Sequence, residues 1–139
     1  MSNLFVNEED VFEINIFVAT LNKEMYCENT EENLKLLLGK DYEKYNIEEY
    51  KMLFKMPAFK QVREIYSSVK VNLQSPESGI DFNIMDYKDK KFKSLIEKWN
   101  LNDNKEMKKP SEKQIDKLNP KVFNVISEQL DIETGGDFN

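Results

Sequence analysis

Between residues 7 and 25 the apolar positions fit two periods at once. Val11, Ile14, Val18, Leu21 and Met25 recur in steps of three and four, which is a helical stripe. Asn7 followed by Glu8, Glu9 and Asp10 suits a helix N-terminus, where a side chain caps free N–H groups and acids favour the dipole. Phe12, Ile14, Ile16 and Val18 also alternate, and the β-branched residues here favour a strand over 11–18. Stripe and cap together tip the expectation to helix.

Further along, the pattern is less divided. Thr30 with Glu31, Glu32 and Asn33 predicts the cap and first turn of a helix through Leu34–Leu38, stopped by Gly39. Tyr50, Met52, Phe54 and Met56 alternate with Glu49, Lys51, Leu53 and Lys55, so residues 48–56 read as a half-buried strand or extended segment. Pro57 then opens a helix carrying Phe59, Val62, Ile65, Tyr66 and Val69. Ser75 to Gly79 reads as a loop. Phe92, Leu95, Ile96 and Trp99 share one helical face. Ser111 caps a short helix with Ile115 and Leu118, and Asn119-Pro120 starts another with Val122, Phe123, Ile126 and Leu130.

These elements predict a mainly α fold: a single helical domain with a small strand near 48–56, becoming α+β if 11–18 is a strand. The expected domain spans 1–131, with 1–46 as a possible N-terminal subregion and 132–139 as a flexible tail. At 139 residues the chain is the length of one domain.

Composition removes several chemistries. The chain has no histidine, so no Ser-His or Cys-His nucleophile pair and no histidine-ligated metal is available. Its four glycines, at 39, 79, 135 and 136, form no phosphate-cradling loop. Cys27 stands alone, without an intramolecular disulfide or an imidazole to activate it. Asn102-Asp103-Asn104 begins like a calcium loop, but Lys108 and Gln114 stand where glycine and a bidentate glutamate belong. Carboxylate clusters fall where helix N-termini would use them. No catalytic residue, cofactor or metal is therefore expected. A basic-then-apolar leader is absent, and the longest apolar run near the start is Ile16 to Ala19, which predicts a soluble intracellular protein.

Charge is polarised along the chain. Residues 1–50 hold 12 acids against four lysines, net −8. Residues 88–121 hold 11 lysines against six acids, net +5, within an overall −6. Arginine appears once, at Arg63, and the pI is near 4.9, so nucleic acid is not an expected partner. Mixed lysines and acids that solvate helix faces account for this polarity, and a lysine-rich segment that docks on an acidic partner is the alternative.

The run Trp99-Asn100-Leu101-Asn102-Asp103, then Pro110-Ser111-Glu112, Ile115, Leu118, Pro120 and Val122 resembles the C-terminal half of tail assembly chaperones of long-tailed bacteriophages. Phe54-Lys55-Met56-Pro57 is similar to an extended step in such proteins, so the resemblance covers roughly 47–130. Where the family usually has a glycine after the aspartate, this chain has Asn104-Lys105-Glu106. The resemblance implies a non-enzymatic protein of the infected host's cytoplasm that binds the tape measure protein and recruits tail tube subunits. Membrane is not among the implied partners, and a homo-oligomer is left open. Trp99, Leu101, Asp103, Pro110, Ile115, Leu118 and Pro120 are then structural motif residues. Phe59, Val62, Tyr66, Lys90 and Lys91 are the candidate client contacts. Two alternatives remain: a virion component such as a head-tail or baseplate adaptor, and an acidic inhibitor of a host nucleic-acid enzyme.

Overall fold

Residues 11–28 are a hairpin, not a helix. A computed structural model describes residues 4–7, 9–70 and 79–135, the side chains of 68–70 and 79–83 excepted. Strands β1 (Val11–Leu21) and β2 (Glu24–Glu28) pair antiparallel around the two-residue turn Asn22-Lys23. Asn22 takes φ 57°, a left-handed conformation that asparagine tolerates better than most residues. The alternation therefore won over the helical stripe. Ile14 and Ile16 are buried with Phe12 and Val18 packed beside them, whereas Val11, which the stripe would bury, is 51% exposed. Asn7 and Asp10, expected in a helix N-terminus, form a turn: Asp10 N donates to Asn7 O (3.1 Å) and Asn7 N to Asp10 Oδ2 (2.9 Å).

Strand β3 (Asn46–Lys55) pairs with β1 over ten positions, and β4 (Ile96–Trp99) adds on its far side, giving one antiparallel sheet ordered β2-β1-β3-β4. With helices α1 (Glu31–Leu38), α2 (Phe59–Lys70), α3 (Gly79–Leu95), α4 (Glu112–Asp116) and α5 (Pro120–Glu133), the fold is α+β. This corrects the mainly helical expectation. Its second cause lies at 96–99. The spacing from Phe92 to Trp99 is helical, but α3 ends at Leu95, and Ile96 and Trp99 pair with Phe54 and Met52 across a register shift. The helix yields to backbone pairing that no local pattern announces.

Local signals hold elsewhere. Thr30 Oγ1 accepts from Asn33 N (3.0 Å), and Gly39 ends α1 at φ 56°. Ser111 and Gln114 form a reciprocal capping box on α4, and Asn119 Oδ1 accepts from Lys121 N (2.9 Å) ahead of Pro120. Helix α5 continues to Glu133, two residues beyond the expected domain end. The loop expected at 75–79 lies outside the described residues except Gly79, which begins α3.

One face of the sheet carries the core. Ile14, Ile16, Met52, Phe54, Ile96 and Trp99 meet Phe92 and Leu95 of α3, Ile115 of α4, and Val122, Ile126 and Leu130 of α5. The α5 residues are four apart, a single apolar stripe. Phe92 sits at the centre, edge-on to Phe54 (centroids 5.3 Å apart, 88° between planes). Across α3 and α5, Lys91 Nζ meets Asp131 Oδ1 at 2.8 Å, with side-chain exposures of 4% and 14%. On the opposite sheet face Asn15 Oδ1 is buried with no hydrogen-bond partner.

Candidate functional site

The Trp99–Pro120 stretch is built by side chains that imitate backbone. Beyond β4, Asn100 stays on the sheet edge: its Oδ1 accepts from Lys51 N (2.7 Å) and its N donates to Lys51 O (3.1 Å). Trp99 and Lys108 exchange two backbone bonds of 2.9 Å, closing the loop between them. Inside it, Asn102 Nδ2 donates to Glu106 O (2.8 Å) and its Oδ1 accepts from Glu106 N (3.1 Å). Lys105 holds φ 55°, a left-handed conformation that glycine adopts freely. Its ammonium reaches back over the Tyr50 ring at 5.2 Å and lies 3.8 Å from Glu48.

The structure gathers Trp99 (3% exposed), Leu101, Ile115 and Leu118 into the main core with Ile126. Pro110 is buried, Pro120 lies exposed at the start of α5, and Asp103 is exposed. Asp103 makes no side-chain hydrogen bond or ion pair among the described residues.

The candidate client contacts divide. Phe59 is 73% exposed, with the Arg63 guanidinium 5.7 Å from its ring centroid. Tyr66 is 43% exposed and packs edge-on against Tyr87 (6.4 Å), while Val62 is half-buried. Ile65 and Tyr87 form a cluster between α2 and α3, separate from the main core. The two helices thus pack together over a small apolar seam, with Phe59 and Tyr66 exposed on α2. Lys90 lies partly exposed, 3.5 Å from Asp86. Lys91 is no surface residue: it is buried against Asp131, with its ammonium 5.5 Å from the Tyr87 ring. It was a candidate client contact in the sequence, where a partner 40 residues away leaves no local signal.

Sequence reasoning missed Ile84 and Met85 of α3, 45% and 52% exposed. Met85 borders a cavity of about 220 Å³ whose lining includes Ile115, Leu118, Phe123, Asp89 and Asp116. Lys93 spans the two aspartates (3.1 Å to Asp89, 2.7 Å to Asp116), and its pKa is raised, chiefly by the hydrogen bond to Asp116.

Burial, with Glu28 adding, pushes the Cys27 thiol up to about 12, so it stays protonated at neutral pH. Tyr45, hydrogen-bonded to Glu24, and Tyr50, half-buried and hydrogen-bonded to Glu48, are also pushed up to about 12. Among the described residues no group of three or more His, Cys, Asp or Glu side chains could hold a metal ion. No described helix is long and apolar enough to cross a membrane.

No family model matches the chain, and no curated protein or solved structure matches it. What remains distinctive is surface: exposed apolar side chains on α2 and α3, and charge polarised along the chain.

Proposed function

We propose that the protein is a non-enzymatic binding protein, a tail assembly chaperone of a long-tailed phage that holds the tape measure protein and recruits tail tube subunits. The phage assignment rests on the sequence resemblance of Trp99 to Pro120. The turn Asn104-Lys105-Glu106 departs from the family pattern, which usually has a glycine after the aspartate.

The observation that carries the binding function is the exposed apolar flank of α2, where Phe59 and Tyr66 stand seven residues apart on one helical face; Ile84 and Met85 of α3 are exposed as well. Such a flank, rimmed by Lys60 and Arg63, suits the apolar stripe of a helical client.

Co-expression with the tape measure and tail tube proteins, followed by pull-down, tests this. The native chain should capture the tape measure protein, and Phe59→Ser/Tyr66→Ser should reduce capture at least tenfold with Trp99 fluorescence unchanged. Capture that is absent, or indifferent to the double substitution, overturns the reading. Abundant peptides of this chain in mature virions would favour the adaptor instead.

A further inference from the structure

The sheet has two edges, β2 and β4, and their outward main-chain groups fare differently. At the β4 edge Trp99 is occupied: its N–H and C=O exchange 2.9 Å bonds with Lys108. At the β2 edge the direction of the groups follows from the register. Met56 N donates to Asp10 O (2.9 Å), which turns Asp10 and every second residue of β1 towards β3. The residues between, Phe17, Ala19 and Leu21, turn towards β2 and bond their partners Glu28, Tyr26 and Glu24. Met25 and Cys27 therefore direct their N–H and C=O away from the sheet. Among the described residues one group reaches this row. It is the Lys121 ammonium, 3.2 Å from Met25 O and 5.4 Å from the Tyr26 ring centroid. Met25 N–H, Cys27 N–H and Cys27 C=O have no hydrogen-bond partner among the described residues.

A second copy is a poor occupant of this edge. It could bond all four groups only with Met25 set against Cys27. That register puts Glu24 opposite Glu28 twice across the join, like charges facing each other directly. The same acids define what does fit. Glu24, Tyr26 and Glu28 alternate onto one face of β2, with Glu24 exposed and Glu28 half-buried. Glu24 Oε2 accepts from Tyr45 OH (2.7 Å), and a carboxylate has lone pairs left for a second donor. Glu28 makes no side-chain hydrogen bond or ion pair among the described residues. The Cys27 side chain lies in the core, so an added strand would use its main chain alone.

We propose that β2 takes a further antiparallel strand from a partner protein, an extended segment with a basic residue two positions to either side of a central one. The basic side chains stand opposite Glu24 and Glu28, and the main chain bonds Met25 and Cys27. Main-chain bonds supply the affinity and the two charges choose the partner. Lys121 guards the edge while it is empty, as lysines do on edge strands, and leaves Met25 O when the segment arrives.

Amide hydrogen exchange of the full chain, followed by NMR, tests this with the acetylated and amidated peptide Thr-Lys-Val-Tyr-Val-Lys-Thr. In the free protein the Met25 and Cys27 amides should exchange at least tenfold faster than those of Tyr26 and Glu28. Millimolar peptide should slow both. N-methylation of its two valines, whose N–H groups face β2, should abolish binding, whereas N-methylation of its tyrosine, facing away, should leave most of it. A peptide with glutamates for the lysines should bind at least tenfold more weakly, and Glu24→Lys/Glu28→Lys should reverse that order. Lys121→Met should bind the lysine peptide several-fold more tightly. Should the reversal variant fail to fold, the two methylated peptides still decide. Met25 and Cys27 amides already as protected as that of Tyr26 overturn the proposal. So does a lack of protection by the peptide, equal effects of the two methylations, or a charge preference that the reversal leaves unchanged. A Lys121→Met chain that binds no more tightly overturns the guarding role. None of these readouts involves Phe59 or Tyr66, so client capture through α2 stands or falls separately.

Discussion

Removing Asp131 should be among the most damaging single changes in the protein, and far worse than removing the whole ion pair. Lys91 is 3% exposed and Asp131 Oδ1 stands 2.8 Å from its Nζ. At an effective dielectric of about 20, the gross attraction at that distance is about 6 kcal/mol, most of it offset by taking both charges out of water. Asp131→Ala keeps that cost for the lysine and deletes the attraction, so roughly 3–5 kcal/mol should be lost. Against a total stability of about 5–15 kcal/mol this is a third or more, and it lowers the melting temperature by roughly 10–15 °C. Lys91→Met strands only Asp131, which is 14% exposed on the last turn of α5, and should cost about 1–2 kcal/mol. Lys91→Met/Asp131→Leu should fall within about 1 kcal/mol of the native chain. Urea unfolding followed by Trp99 emission measures all three, since the single tryptophan lies 3% exposed in the core. A loss below about 1 kcal/mol for Asp131→Ala, or a double variant as unstable as it, would refute the reasoning.

Three further outcomes follow from local geometry. Lys105→Gly should stabilise by about 0.5–1 kcal/mol, because the φ of 55° ceases to strain a Cβ and an exposed lysine contact is a small loss; a thermal melt checks it. Asn15→Val should gain about 1 kcal/mol by removing a buried oxygen without a partner from a strand position that suits a β-branched side chain, again read by urea midpoint. Cys27 binds its proton more tightly folded, at about 12 against an ordinary 9, so its contribution is complete below pH 9 and is lost as pH rises towards 12. Cys27→Ala should accordingly make the fall of stability between pH 9 and 12 shallower, by at most about 1.4 kcal/mol per pH unit, and an unchanged slope would remove the thiol from the account.

Legibility of the fold tracked how local each cause was. Thr30, Ser111 and Asn119 announce their helices because a capping side chain bonds N–H groups two or three residues away, and Gly39 stops α1 by its own backbone freedom. Residues 48–56 alternate without a competing stripe, so β3 could be read directly. Residues 7–25 satisfied both periods, and the decision lay with β3: ten cross-strand pairs to Asn46–Lys55 outweighed a stripe and a cap. Residues 96–99 kept helical spacing with Phe92 yet left the helix, because Met52 and Phe54 offered backbone partners more than 40 residues away. Apolar spacing identified what is buried there and misjudged the backbone that buries it.

The candidate surfaces show the same division between composition and commitment. Segment charges of −8 and +5 are plain in the sequence, but they do not say which lysines are already engaged. Geometry assigns Lys91 to Asp131 and Lys93 to Asp89 and Asp116, which withdraws both from the lysine-rich face. The aromatic flank of α2 has the opposite character: Phe59 and Tyr66 are exposed through apolar area, with Lys60, Arg63 and Glu64 exposed on the same helix. Apolar burial survives added salt, whereas pairing between exposed charges is screened within about 8 Å at physiological ionic strength. Client capture through α2 should therefore persist as ionic strength is raised to about 300 mM. Capture that vanishes as salt is raised would mean that charged side chains hold the client, and that Phe59 and Tyr66 do not.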